Sequence, residues 1–251
     1  MHPQVLHFFF ANFGDTQAMA TNTRFFNQLF QRKPDSRYAT FDELCTEMLK
    51  EKDCSAVLWK PPANMYATAH QDQLKLKITG DRAYELTDWS FGQLCSYVGA
   101  DRKIIERLQL ETASHVLSEI FPFGDRPLQL FTTGQTIRSL HRISYERLFN
   151  ADLLDVVLDE VMDLTGRYSE RPESMGFLAG DRDLFAYLVD ESSWTHYWGE
   201  RFAPAFVVYN SEVGGRSVGI RSGWYHSGSK GFMLNGDSCP VTIVDVESNI
   251  N

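Results

Sequence analysis

The sequence predicts an α+β domain, a mixed or antiparallel sheet with several helices packed on it, and three observations lead there. Capped segments with helical apolar spacing occupy the middle of the chain, whereas strand-length apolar runs bounded by Gly, Pro and Asp dominate after residue 166. The 251 residues, 43% hydrophobic and 23% charged, suffice for one self-sufficient core. There is no internal repeat and no low-complexity linker, so a single domain over 23–234 is expected, with a flexible leader at 1–22 and a C-terminal tail at 235–251.

Residues 1–22 show no sustained period, and a short helix over Thr23–Arg32 is ended by Pro34. Thr40 opens the first strong helix: Thr-x-x-Glu to Glu43 forms a capping box, and Phe41, Leu44, Cys45, Met48 and Leu49 share a face up to about Lys52. Ala56–Trp59 and Leu74–Ile78 read as strands, the latter alternating with Lys75 and Lys77. Asp88 is the expected cap of a second helix, with Phe91, Leu94, Cys95 and Val98 inward and Gly99 as its stop. Asp101 caps a third, short helix, and Ala113, Val116, Leu117 and Ile120 mark a fourth.

Leu128–Thr132 and Gln135–Ile143 read as two strands joined at Thr133-Gly134. Strict alternation puts Arg138, Leu140 and Arg142 on one face and Ile137, Ser139, His141 and Ile143 on the other. Asn150–Leu164 is the longest helix, with Asp152 at its positive end, Asp155, Asp159, Glu160 and Asp163 outward and Gly166 after its end. Strands follow at Met175–Leu178, Leu184–Val189, Ala205–Tyr209, Ser217–Arg221 and Val241–Val246.

Composition narrows function. The longest apolar stretch, Val5–Phe13, is too short to span a bilayer and lacks the flanks of a signal peptide, so a cytoplasmic, non-membrane protein is expected. Cys45, Cys54, Cys95 and Cys239 are far apart and read as reduced thiols. Residues 151–200 carry 3 basic and 12 acidic side chains, so the net charge of −9 lies in this block and the remainder can present a basic face.

No motif calls for a cofactor. Gly214-Gly215 lacks the helix and spacing of a phosphate loop and reads as a reversal between strands, with Glu212 pairing Arg216. Ser227–Gly231 lacks the Walker spacing, and His196 and His226 belong to no hydrolase constellation. Asp181 and Asp183 form a D-x-D that a hard cation could use, and with Glu212 they define a metal-dependent nuclease alternative. Arg138, Arg142, Tyr145, Arg147, Arg216, Arg221, Trp224 and Lys230 supply the arginines and rings that a groove for single-stranded nucleic acid uses. A protein partner held by the acidic segment 151–191 is the competing expectation.

The stretch Asn210-Ser-Glu-Val-Gly-Gly-Arg-Ser217, preceded by Asp183-Leu-Phe185 and a strand, resembles the hallmark of the phage/plasmid-like proteins grouped as the domain of unknown function 932 family. Ile137-Arg-Ser-Leu140 through Tyr145 and Leu148-Phe-Asn150 resembles that family's arginine-containing strand and its step into a helix. Trp89-Ser-Phe-Gly-Gln-Leu-Cys95 with Gly99, and the segment Asp35–Leu44, resemble two further blocks, and together the match spans about residues 27–225. Members are encoded in phages, plasmids and bacterial genomes, often near replication and recombination genes. The resemblance therefore implies a non-enzymatic accessory protein of DNA metabolism and carries over no catalytic residues.

Overall fold

The computed structural model describes residues 36–121, 126–162, 168–169, 177–190, 192–227 and 231–234. The expected leader, the helix over Thr23–Arg32, Gly166, Lys230, Cys239 and the strand Val241–Val246 lie outside the described residues. The chain is α+β, built on two sheets.

The first sheet joins β1 (Ser36–Tyr38), β8 (Tyr168–Ser169), β9 (Phe177–Ala179), β10 (Leu184–Asp190), β11 (Thr195–Tyr197), β12 (Glu200–Asn210), β13 (Gly219–His226) and β14 (Gly231–Leu234), with spatial order β1-β9-β10-β12-β13-β14. Every pairing in it is antiparallel. All seven residues of β10 are buried, so this central strand has a core on each face. One face gathers Phe177, Leu184, Ala186, Leu188 and Val208, and the other gathers Phe185, Tyr187, Val189, Ala205, Val207 and Tyr225.

The second sheet has the order β2-β6-β7-β5-β4-β3, formed by β2 (Ser55–Lys60), β3 (Met65–His70), β4 (Gln73–Ile78), β5 (Ala83–Leu86), β6 (Leu128–Thr133) and β7 (Thr136–His141). It is mixed, because β5 runs parallel to β7 while the other neighbours are antiparallel. The β6–β7 turn is centred on Gly134-Gln135, where Gly134 holds φ +58.

Five helices complete the described fold. In α1 (Phe41–Asp53) the Thr40 hydroxyl accepts the Glu43 N–H at 3.1 Å, as the Thr-x-x-Glu pattern predicts. Its buried Phe41, Leu44 and Met48 pack with Leu154 and Val157 of α5 (Asn150–Met162) against the first sheet. Each such side chain contributes about 1.5–3 kcal/mol through burial. Between β5 and β6 of the second sheet come α2 (Asp88–Val98), α3 (Arg102–Ile105) and α4 (Leu110–Glu119). These cover one face of the second sheet through Leu94, Cys95, Ala113 and Leu117. The cap of α2 is Thr87 and not Asp88, its oxygen accepting the Ser90 N–H at 3.1 Å, and Gly99 ends the helix at φ +74. At the edge strand β3, the Ser118 hydroxyl of α4 lies 3.1 Å from the Ala67 N–H and 3.0 Å from its carbonyl.

The strict alternation expected for β7 is corrected. The β6–β7 register passes from Phe131↔Ser139 to Thr132↔Ile137, so Arg138 is an extra residue, a β-bulge. The phase therefore flips. Leu140 joins Ile137 in the core beneath the helices, whereas Arg138, Ser139 and His141 turn toward the loop that follows β12.

Candidate functional site

The loop Asn210–Arg216 joins the two sheets, and nearly every one of its polar groups has a defined partner. Asn210 donates to the Leu148 carbonyl at 2.9 Å and to the Asn150 side-chain oxygen at 3.0 Å, tying the end of β12 to the start of α5. The Ser211 hydroxyl donates to the Arg182 carbonyl and accepts the Gly215 N–H at 2.8 Å. Glu212, only 4% exposed, accepts the Asn150 N–H at 2.7 Å, so its charge sits at the positive end of α5. Its second carboxylate oxygen meets Arg138 Nη1 at 2.9 Å, and the same guanidinium pairs with Glu51. The backbone carbonyl of Glu212 accepts from Arg147.

Burial holds the Glu51 carboxyl above its ordinary range, outweighing the opposing attraction of Arg138. It also pushes the Arg147 guanidinium down to about 10, so the arginine is still charged near neutrality. These groups form a buried ionic joint between β7, α1, α5 and the loop, with Arg138 also 5.1 Å above the Phe131 ring.

Beyond the joint the loop reaches the surface at Gly214. The Val213 carbonyl receives Trp89 Nε1–H at 2.8 Å and lies 3.0 Å from His141 Nε2. Burial and then the Arg147 charge push the His141 imidazole down to about 4, so near neutral pH it is uncharged and Nε2 carries the donated proton. The His141 and Tyr145 rings stack at 3.7 Å and 10°. Gly214 adopts φ +77, and a Cβ there would lie 2.7 Å from His141 Cε1, so both conformation and space require glycine. Around this exposed glycine stand Trp89, with the exposed Arg182 guanidinium 4.2 Å over its ring, and the His141–Tyr145 stack. Arg142, exposed just past β7, acts electrostatically on the Tyr97 phenol.

The residues expected to form one basic face are thus distributed. Arg138 and Arg147 lie inside, on the ionic joint and across Phe131. Arg216 pairs with Asp183 at 3.1 Å and covers the Phe185 ring at 4.8 Å. Arg221, opposite Val207, lies on that same far face of the first sheet, whereas the half-buried Trp224, opposite Pro204, is on the reverse face. Of the described set, Tyr145 comes to the Gly214 rim, while Arg142 is exposed just past β7. The expected pairing of Glu212 with Arg216 is corrected: Glu212 takes Arg138, and Arg216 takes Asp183.

Both of those carboxylates are engaged by arginines, and among the described residues no group of three or more His, Cys, Asp or Glu is placed to hold a metal. His226 meets Glu200 at 3.0 Å and stacks on Phe202, and His196 is exposed opposite Arg201. Among the described residues no helix is long and apolar enough to cross a membrane. Trp89, Arg182 and His141 are site residues that the sequence did not single out. Their signal lay in the segments they interrupt, Trp89 beside a helix cap and Arg182 between the two aspartates of the D-x-D. Comparison with family models, with curated proteins and with solved structures finds no match to this chain.

Proposed function

We propose that the protein is a non-enzymatic binder of single-stranded nucleic acid, with an accessory role in replication or recombination of the phage and plasmid type. Its contact surface is the rim around Gly214. The observation that carries this reading is the set of ring faces and an exposed cation at one loop, Arg182 on Trp89 and the His141–Tyr145 stack, with Arg142 exposed just past β7. Rings stack on unpaired bases of any sequence and arginines neutralise the phosphates between them. The resemblance to the domain of unknown function 932 family supports the same setting.

Fluorescence anisotropy of labelled single and double strands at two salt concentrations tests the reading. Binding should favour the single strand and fall steeply with salt, and Arg182→Ala or Arg142→Ala should each weaken it and lower the salt slope by about one. Absence of any single-strand binding at low salt refutes the proposal.

A second reading draws on α5, where Asp155, Val156 and Asp159 form an exposed strip with Val156 at 44% exposure. An acidic strip with an apolar centre suits a protein partner, and charge reversal of Asp155 and Asp159 would abolish capture of that partner while leaving nucleic-acid binding intact.

A further inference from the structure

The β11–β12 hairpin closes through two residues, because Tyr197 pairs with Glu200 and only Trp198 and Gly199 lie between. Both have positive φ, +50 and +82, the pattern of a type I′ turn, whose first central position favours Asn, Asp or Gly. The β3–β4 hairpin has the same two positive-φ positions and fills them with polar residues, Gln71 and Asp72. At the other tip stands a tryptophan that is 88% exposed, with the Tyr197 ring centroid 4.7 Å away. Neither the turn nor the core gains from it: the backbone disfavours a bulky side chain there, and the ring stays in water.

The neighbours select the occupant. Ser192, Ser193, His196, Gly199, Glu200 and Arg201 are all exposed, so apart from Tyr197 the described hairpin neighbours of the ring are polar and form no apolar patch. The core of a protein interface or an interfacial membrane helix needs several contiguous apolar side chains. An unpaired base needs one ring face and a nearby cation, and the hairpin carries Arg201, its guanidinium 4.5 Å over Trp194. We infer that Trp198 stacks on an unpaired base of a nucleic-acid strand, forming a second contact remote from the Gly214 rim. The inference rests on the single-strand reading above.

The two contacts lie at opposite ends of β12, whose 11 residues span about 35 Å at ~3.3 Å per residue. A stacked strand rising ~3.4 Å per nucleotide reaches both only when it exceeds about ten nucleotides. The full chain is therefore titrated by anisotropy with labelled single strands of about 6 and about 25 nucleotides, lengths that bracket one and two contacts. Trp198→Ala should weaken binding of the longer strand about tenfold and leave the shorter unchanged, and Trp198→Phe should keep most of the wild-type affinity. Trp198→Asn guards against misfolding: it installs the favoured Asn-Gly turn, so its thermal midpoint should equal or exceed wild type while long-strand binding falls as in the alanine variant. Unchanged affinity of Trp198→Ala and Trp198→Asn for the longer strand, with Arg182-dependent binding intact, overturns this inference alone. An equal loss at both lengths also overturns it, and wild-type protein that binds neither strand overturns this inference together with the reading beneath it.

Discussion

Glu212 carries two obligations at once, the charge of Arg138 and the first amide of α5, and it meets both while buried. Removing one partner of a buried pair leaves an uncompensated charge, so Glu212→Ala should lower stability by about 3–5 kcal/mol in urea titration. Replacing both partners, Arg138→Met with Glu212→Leu, should recover part of that loss. Gly214→Ala meets a positive φ and a contact with His141, so it should cost more than the ~1–2 kcal/mol of the left-handed backbone alone. His141→Ala should relieve the steric share and leave the backbone share.

The His141 imidazole supplies a pH dependence with a defined sign. Its folded value of about 4 lies below the ordinary 6.5, so its contribution is present above 6.5 and is lost as pH falls toward 4. Glu51 acts oppositely: its raised carboxyl pKa favours the folded state when protonated, and that contribution is lost as pH rises through its folded value. Thermal midpoints measured at pH 7 and near pH 4.5 should converge in His141→Gln relative to wild type. At this scale the sequence announced the charged residues but not their pairings. Glu212 and Arg216 are near in sequence, yet Arg138, 74 positions away, wins because the bulge in β7 aims it at the loop.

Elements were more legible than contacts. Two helix starts were read from their caps, and α1 and α3 begin after Thr40 and Asp101 as predicted, while α5 begins at the expected Asn150. The one-residue error at α2 has a simple cause, since Thr87 and Asp88 are both good caps and only the backbone decides between them. Thr87→Ala should cost about 1 kcal/mol. Because α2 carries Trp89 against the Val213 carbonyl, the same change should also weaken single-strand binding in the anisotropy assay. The strands β3 and β5 escaped notice because they are short on large apolar residues: β3 buries Met65 and Ala67, and β5 buries Tyr84 alone. A bulge leaves no compositional trace at all, which is why the phase of β7 could not be read by alternation.

On the scale of the whole molecule, the described fold is two sheets whose junction is polar. Arg138 stands on the second sheet, Glu212 follows the first, and Glu51 lies at the end of α1, so one ion network spans both layers. Breaking it should be felt on each side: in Glu212→Ala, hydrogen exchange should accelerate in Thr136–His141 and in Leu184–Asp190 together. Protection lost in only one strand would mean that the sheets are stabilised independently. The α+β class was legible because it depends on periodicity and caps, whereas the division of the strands into two sheets depends on pairings that no local pattern encodes.

Ser118 gives the molecule a safeguard of a different kind. An edge strand is a template for another chain, and β3 would offer its Ala67 amide and carbonyl to any extended segment that came alongside. The serine hydroxyl occupies both groups from the neighbouring helix. Its removal in Ser118→Val should therefore change the solution behaviour more than the fold: the protein should remain folded at low concentration and self-associate by strand addition as concentration rises, with the onset visible by light scattering.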